Sequence, residues 1–196
     1  MGIRSLVFLV YIVYFFPLLG EENSLEEWKK FSKTKSSDRV MEFIRCTATA
    51  ELSLKSCDLS VPETPSFFGE LGVFITIVNK GKVRGCFGAF RHKNTQLATV
   101  LEEYIRGALR NDPRYPPLEI EELKTAYFIL TIADSPVPVA DTGAIALGRF
   151  GVYLTKENGT GSVYVPGEIK SHSGLKRIIQ KEKALDVSVF KAILIR

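Results

Sequence analysis

The sequence predicts an α+β fold in which an antiparallel sheet is flanked by helices. Runs of β-branched and aromatic residues are joined by short turns, which is typical of antiparallel strands. Between these runs lie segments in which apolar residues recur with the period of a helix. A chain of 196 residues, of which 45% are hydrophobic and 24% are charged, suits one globular domain. Helices and tightly connected strands mixed in this way indicate the α+β class.

The N-terminus has the layout of a secretory signal peptide. One cation, Arg4, precedes an apolar run over residues 6–19, and Gly20-Glu21-Glu22 closes it. A run of about 14 residues is short for a membrane span, which needs about 20. We therefore expect residues 1–20 to be a signal peptide, with an uncleaved membrane anchor over residues 5–19 as the alternative. The protein is accordingly predicted to be exported, to the periplasm or the cell exterior, and to meet the membrane only through this segment.

Two helices are predicted before the first strand. Residues 24–27 (SLEE) have the form of a capping box, and apolar residues at helical spacing extend a short helix to about residue 33. Asp38 is the predicted N-cap of a second helix that runs to about residue 52. Residues 21–37 are thus interpreted as a helical and polar linker, and residues 38–196 as the domain.

A β-hairpin and a third helix are predicted next. Residues 72–78 (GVFITIV) form a strand, residues 79–82 (NKGK) supply turn chemistry, and residues 83–90 (VRGCFGAF) return as the second strand. Thr95 is the predicted N-cap of an amphipathic helix. That helix ends at residues 111–113 (NDP), because the residue before a proline avoids the helical region.

The remaining chain is predicted to alternate loops and strands, with one helix near its end. The expected elements are a proline-rich loop (113–118), an acidic turn (119–122), a strand (125–133), two strands (148–154 and 162–165) paired across a turn at Asn158-Gly159, a helix capped by Ser171 or Ser173 and ending near residue 183, and one closing strand (187–195).

Several classes of function are disfavoured by what the sequence lacks. It has no Walker loop, no dinucleotide-binding fingerprint and no nucleophile-elbow serine. His92 and His172 are the only histidines, so no metal centre is predicted and no cofactor is expected. The formal charge of +4 is scattered without a basic stripe, so nucleic-acid binding is not expected.

The second strand of the hairpin is the candidate centre of function. Glycines inside a strand mark a bulge, a bend or a close approach by a ligand, and Gly85 and Gly88 flank Cys86. In a regular strand Arg84 shares a face with Cys86, where it would stabilise a thiolate. The alternative is that Cys86 is a small buried apolar residue, as most free cysteines are. Neither histidine is placed by sequence to act as a general base, and His92 is predicted to lie on the surface.

The proline-rich loop after the third helix is the second candidate. Arg114 offers a planar fork to a carboxylate or phosphate, with Asp112 in support. The alternative is a rigid loop in which this pair ties down chain ends. Arg149, between a glycine and a phenylalanine, is a third candidate ligand-binding residue with the same two interpretations. Residues 158–160 fit a glycosylation sequon, although a hairpin turn accounts for Asn-Gly without it.

The motifs in these segments resemble the AMMECR domain family, named for the Alport syndrome, midface hypoplasia and elliptocytosis chromosomal region. The resemblance covers roughly residues 38–196, and its blocks follow the family's order. The motifs that carry it are GVFIT (72–76), RGCFG (84–88), DPRYPPL (112–118), EEL (121–123), GRFGV (148–152) and VYVP (163–166).

The resemblance implies an α+β fold of two lobes, with the Arg-Gly-Cys motif near the groove between them. Family members in prokaryotes are often encoded or fused with a Memo-like domain and a radical-SAM protein, which implies partners in a shared modification pathway. The family is generally intracellular, whereas this chain begins with an export signal. Phe87 stands where the family usually has isoleucine, and its larger ring is expected to narrow the groove. If the chain is exported, Cys46 and Cys57 are expected to form its one disulfide and to leave Cys86 free.

Three functions therefore remain open at the level of sequence. The first is a binding or accessory module that holds a small molecule or peptide in a groove around the Arg-Gly-Cys motif. The second is a thiol-dependent enzyme of a modification pathway, in which Cys86 is the nucleophile and Arg84 lowers its pKa. The third is a structural module whose motif merely shapes a hairpin. The sequence does not decide whether the protein is an enzyme.

Overall fold

The computed structural model describes residues 24–157 and 160–196. The predicted signal peptide and the turn at residues 158–159 lie outside this part of the chain. The helices are α1 (Ser24–Phe31), α2 (Lys35–Ser53), α3 (Leu97–Arg110) and α4 (His172–Glu182), with short 3-10 helices at Ile120–Lys124 and Thr142–Ala144. The strands are β1 (Gly72–Asn79), β2 (Lys82–Ala89), β3 (Ala126–Ala133), β4 (Val137–Pro138), β5 (Gly151–Lys156), β6 (Gly161–Tyr164), β7 (Ala184–Phe190) and β8 (Ala192–Ile195).

The strands form two four-stranded sheets, one in each lobe. The first sheet has the order β2-β1-β3-β8 and the second has the order β4-β7-β5-β6. Every pair of neighbouring strands is antiparallel. The predicted α+β class with antiparallel sheet and flanking helices is therefore confirmed.

The larger core lies between the first sheet and helices α1 to α3. Val73, Ile75 and Ile77 of β1 point into this core, together with Trp28 of α1. The other face of β1 carries Phe74, which packs toward the second lobe. Strand β1 is buried on both faces, and this explains why its sequence is almost continuously apolar.

The hairpin of β1 and β2 contains a bulge in place of the predicted regular strand. Ile77 faces Gly85 and Val78 faces Val83, so Arg84 is an extra residue without a partner on β1. A bulge re-aims the side chain of the inserted residue, so Arg84 does not follow the regular alternation on which its predicted place beside Cys86 depends.

Two predicted helix starts also differ from the structure. Helix α2 begins at Lys35 after Thr34, so Asp38 lies in its first turn rather than at the N-cap. There its carboxylate still complements the helix dipole. Helix α3 begins after Gln96 rather than Thr95, and the side chain of Asn94 accepts a hydrogen bond from the Gln96 backbone. In α4, Ser171 is the N-cap, as predicted, and accepts a hydrogen bond from Gly174.

The predicted closing strand is divided between the two lobes. Strand β7 pairs with β4 and β5 in the second sheet, whereas β8 pairs with β3 in the first sheet. Lys191 lies between them, where the chain crosses from one sheet to the other. The sequence predicts one continuous strand because residues 187–195 form an almost unbroken β-type run, and local composition does not report a change of sheet.

A cluster of aromatic rings joins the two sheets at one end. The ring centroids of Phe74 and Phe90 are 4.9 Å apart, and those of Phe90 and Phe190 are 5.2 Å apart. Tyr153 of β5 packs on Phe90 from the second lobe, at 5.4 Å. This contact fixes the lobes relative to each other and leaves space between the sheets beyond it.

A disulfide bond ties α2 to the loop that follows it. Cys46 and Cys57 are bonded and Cys86 is free, as predicted. Within residues 24–157 and 160–196, none of the helices combines the length and the apolar character needed to cross a bilayer.

Candidate functional site

Arg84 binds the proline-rich loop rather than the thiol. Its Nε and Nη2 donate to the two carboxylate oxygens of Glu122, at 2.7 and 2.9 Å. Nη1 donates to the carbonyl oxygen of Pro116 at 2.8 Å, and Nη2 also reaches that of Pro117 at 3.2 Å. The planar guanidinium thus holds residues 116–122 against the edge strand β2.

Gly85 and Phe87 face helix α3. A side-chain carbon added at Gly85 would lie 2.1 Å from the carbonyl oxygen of Ala108, so the glycine permits close packing of helix on strand. The ring of Phe87 packs on Gly107 and lies 5.9 Å from the ring of Tyr104. The ring thus packs between sheet and helix, while Phe87 is also among the residues that line the groove of Cys86. The expectation that it narrows that groove stays a prediction.

Cys86 lies on the opposite face of β2, on the floor of the space between the lobes. The hydroxyl of Thr76 donates to its Sγ at 3.4 Å. Its backbone N–H donates to the Asp112 carboxylate at 2.8 Å. Burial raises the pKa of the thiol to about 11. The nearby positive charge that lowers this pKa, and only partly offsets burial, is that of Arg114. The predicted lowering of this pKa by Arg84 is therefore wrong.

Asp112 and Arg114 form an ion pair that continues into the second lobe. Nε and Nη2 of Arg114 donate to the two oxygens of Asp112, at 3.0 and 2.9 Å. Nη1 donates to Glu168, which follows β6, at 3.1 Å. The guanidinium also lies over the rings of Tyr115 and Tyr164, at 5.5 and 5.4 Å from their centroids. Arg114 thus bridges the lobes by charge and by cation–π contact.

The pKa values of the two carboxyl groups in this bridge are shifted in opposite directions. Burial opposes the charge on Asp112, but hydrogen bonds and the charge of Arg114 outweigh it and lower the pKa of this carboxyl. Burial dominates at Glu168 and raises its pKa, although Arg114 and the N–H of Val165 oppose the shift. The bridge therefore combines one firmly ionised carboxylate with one that is poorly solvated.

A groove of about 630 Å³ lies between Cys86 and the second lobe. Cys86, Gly88, Asp112 and Arg114 line it from the first lobe. The side of the second lobe is lined by Lys156, Gly161, Ser162, Val163, Lys181 and Glu182. Lys156 forms a salt bridge of 3.1 Å with Glu182, whereas Lys181 lies exposed at the mouth of the groove. Within the described ranges, no group of His, Cys, Asp and Glu side chains could hold a metal ion.

Comparison with known protein families accounts for this arrangement of motifs. The family model AMMECR1 matches residues 30–195. The chain belongs to the AMMECR1 family. The resemblance read from the motifs is thereby confirmed over most of the sequence.

Curated relatives of this AMMECR1-family chain come from archaea and bacteria. A protein of Thermotoga maritima is 32% identical over 100 residues, which cover 50% of this chain and 57% of the relative. Protein TV1384 of Thermoplasma volcanium is 28% identical over 177 residues, which cover 80% of this chain and 87% of the relative. In the first three relatives compared, the match spans 57%, 37% and 48% of their length.

A solved structure has the same fold. The crystal structure of the uncharacterized protein PH0010 from Pyrococcus horikoshii aligns with a TM-score of 0.61 at 19% sequence identity. The alignment covers 83% of this chain and 90% of that protein. At this level of identity the likeness establishes the AMMECR1 fold and nothing about a ligand.

The structure does not bring every predicted residue to the groove. Arg149 is exposed in the loop before β5 and is absent from the groove lining. His92 is half-buried, with Nδ1 2.8 Å from the Tyr104 hydroxyl and Nε2 2.8 Å from the Leu71 carbonyl oxygen. Its predicted position on the surface is therefore wrong, and burial lowers its pKa.

The wall that the second lobe contributes to the groove is not marked in the sequence. Lys156, Lys181 and Glu182 lie 70 or more positions from Cys86 and belong to no motif that suggests a ligand. Their charge is ordinary for strand and helix surfaces, so no local signal could have identified them.

Proposed function

We propose that the protein is a binding or accessory module that holds a small ligand or peptide in the groove above Cys86. The observation that carries the proposal is the groove itself, about 630 Å³ in volume and walled by charged residues from both lobes. Cavities of roughly 300–1,000 Å³ are typical of small-molecule sites. Gly88 permits the close approach of β2 to β1 under the groove, since a side-chain carbon there would lie 2.2 Å from the Val73 carbonyl oxygen.

The charges along the groove favour a ligand with an anionic group. Arg114 is neutralised by Asp112 and Glu168, and Lys156 is paired with Glu182. Lys181 forms no salt bridge within residues 24–157 and 160–196 and lies at the mouth. An anionic ligand would pair with Lys181 and would place its less polar part over Cys86 and Phe74.

The environment of Cys86 supports binding more than nucleophilic catalysis. A thiol with a pKa of about 11 is protonated at neutral pH, and the thiolate is the reactive form. His92 cannot serve as its base in this conformation, because both ring nitrogens are engaged by Tyr104 and Leu71. The alternative, a thiol-dependent enzyme, would require a ligand or partner that lowers this pKa.

We place the activity outside the cytosol, as the N-terminal sequence predicts. The disulfide between Cys46 and Cys57 supports this placement, since such bonds persist mainly in oxidising compartments. A pathway shared with Memo-like and radical-SAM proteins stays a prediction from the family resemblance.

The proposal is tested by exchanging charge at the mouth of the groove. Native mass spectrometry and metabolite profiling of the purified protein should find an anionic small molecule or peptide that co-purifies. The variant Lys181→Glu should lose it, because the rim charge is reversed without touching the core. The recovered compound should raise the melting temperature of the unmodified protein and have little effect on the variant.

Lys176→Glu is the matched control. Lys176 lies on the same helix, is exposed, and does not line the groove, so its reversal changes net charge equally. Retention of the ligand by Lys176→Glu and its loss from Lys181→Glu would support the groove. Equal retention by both variants would contradict the proposal, as would the absence of any bound or stabilising compound across a metabolite library.

A further inference from the structure

A second cleft, separate from the groove of Cys86, opens at the other end of the first sheet. It has a volume of about 520 Å³ and lies between this sheet and residues 164–170 of the second lobe. Three tyrosines line it, Tyr115, Tyr127 and Tyr164, and we call it the tyrosine cleft. Neither the motifs nor the family match assigns a role to this cleft.

The second sheet covers only part of the first sheet. Apolar residues of the uncovered part therefore form the floor of the tyrosine cleft. The aromatic cluster around Phe74 seals one end of the shared face. Toward the other end the same face presents Val78, Ile129 and Val83. The bulge in β2 places Val83 opposite Val78 and so completes this floor.

Two of the three tyrosines pack against one cation and remain neutral. The rings of Tyr115 and Tyr164 both lie against the Arg114 guanidinium. Burial raises the pKa of Tyr115 and of Tyr164, so neither ring carries a charge at neutral pH. Tyr127 is 43% exposed and stands at the opening. Fixed aromatic rings around an apolar floor favour a flat aromatic group, which can pack edge-to-face or offset against them.

The rim of the tyrosine cleft is positively charged. Lys82 and Lys170 are exposed on it, and neither forms a salt bridge within the described part of the chain. Glu168 is the one acidic side chain among the lining residues, and Arg114 and the Val165 N–H already engage it. The net field at the opening therefore attracts an anion.

We infer that the tyrosine cleft is a binding site for a small aromatic carboxylate. The ring would lie on Val78 and Ile129 among the tyrosines, and the carboxylate would pair with Lys82 and Lys170 at the rim. The bridge between Arg114 and Glu168 separates this site from the groove of Cys86, so the two sites can be tested independently.

Calorimetric titration with 2-naphthoate tests this inference. The unmodified protein should bind it, and the double variant Lys82→Met/Lys170→Met should bind about tenfold more weakly or worse, because both ion pairs are lost. Affinity for the unmodified protein should also fall as salt is added. Tyr127→Ala should weaken binding through the ring contact while the carboxylate contacts remain.

Matched controls separate the site from general charge effects. Lys80→Met/Lys176→Met removes two exposed lysines outside the cleft and should leave affinity unchanged. Neutral 2-naphthalenemethanol and aliphatic cyclohexanecarboxylate should each bind more weakly than 2-naphthoate. The inference is overturned if 2-naphthoate does not bind, if both double variants bind it equally, or if Lys181→Glu alone abolishes binding.

Discussion

The chemistry of Cys86 is controlled by where its side chain lies rather than by its neighbour two positions earlier. Desolvation raises the pKa of the thiol to about 11, and the Thr76 hydroxyl only partly offsets it. Arg84, the cation that the motif places beside it, is fully engaged with Glu122 and two proline carbonyls. The Arg-Gly-Cys motif therefore holds a protonated, half-buried thiol at the floor of a groove.

We predict that the rate at which iodoacetamide alkylates Cys86 does not level off at a pH near the pKa of a free thiol. In the folded protein the rate should rise about tenfold per pH unit to about pH 10, because the thiolate fraction keeps growing below a pKa of about 11. The measurement is the pH dependence of the labelling rate by mass spectrometry, with the disulfide intact.

The same protein unfolded in urea is the control for that prediction. There the half-maximal rate should return to about pH 8.5 to 9. Since the folded pKa is raised, the thiol also stabilises the fold below the unfolded pKa, and this contribution declines as pH rises above it. A folded-state half-maximum below about pH 8.5 would instead favour the thiol-dependent enzyme.

At the scale of elements, the bulged hairpin and the proline-rich loop act as one unit. Arg84 leaves the regular alternation of β2 and reaches across to residues 116–122. The loop in turn positions Asp112, whose carboxylate accepts the N–H of Cys86 at 2.8 Å. Strand β2 and the proline-rich loop are thus joined at Arg84 and at Cys86, the two ends of the Arg-Gly-Cys motif. These bonds stiffen the floor of the groove.

We predict that Arg84→Ala destabilises the protein by about 2–3 kcal/mol, because it removes charge-assisted hydrogen bonds and leaves Glu122 without its partner. Urea denaturation measures the loss. A double-mutant cycle with Glu122→Gln should give a coupling free energy of about 1–2 kcal/mol.

Arg149→Ala serves as the matched arginine control for this loss. Because Arg149 is exposed, its replacement should change stability by no more than about 0.5 kcal/mol. Equal effects of the two substitutions would show that Arg84 does not clamp the loop.

At the scale of the whole molecule, two contacts set the spacing of the lobes. Phenylalanine rings close one end of the interface, and the bridge from Asp112 through Arg114 to Glu168 crosses its middle. The groove of Cys86 and the tyrosine cleft lie on the two sides of that bridge. Arg114 is therefore the residue on which the geometry of both cavities depends.

We predict that Arg114→Met costs about 3–5 kcal/mol at neutral pH, because it leaves two buried carboxylates without a cation. The loss should shrink as the pH falls toward about 4.5, since protonation of Glu168, whose pKa is already raised, removes an uncompensated charge. Urea denaturation at both pH values measures the difference.

Adding Glu168→Gln to Arg114→Met checks this explanation. The second substitution removes the charge itself, so it should recover part of the stability and flatten the pH dependence. The charge explanation is contradicted if Arg114→Met loses the same stability at both pH values and Glu168→Gln restores none of it. Packing of the Arg114 side chain would then account for the loss.

Patterns among neighbouring residues explain the turns, caps and helices that the sequence predicted correctly. The hairpin turn follows from Asn79-Lys80-Gly81-Lys82, in which Lys80 and Gly81 adopt positive φ angles of 49° and 75°. The apolar stripe of α3 and the N-cap at Ser171 are likewise set by neighbours in sequence. The site was predicted in part, since Cys86, Gly88, Asp112 and Arg114 line the groove whereas Arg84, Gly85 and Arg149 do not.

By itself the sequence determined the family, the α+β class and the segment on which the groove is built. Tertiary structure alone decided that Arg84 bonds to Glu122 and the proline-rich loop, that β7 and β8 belong to different sheets, and that Lys156 and Lys181 line the groove of Cys86. Periodicity, caps and turns are properties of a few neighbouring residues. Register shifts, desolvation and the meeting of distant charges depend on how the lobes pack, and no local pattern encodes them.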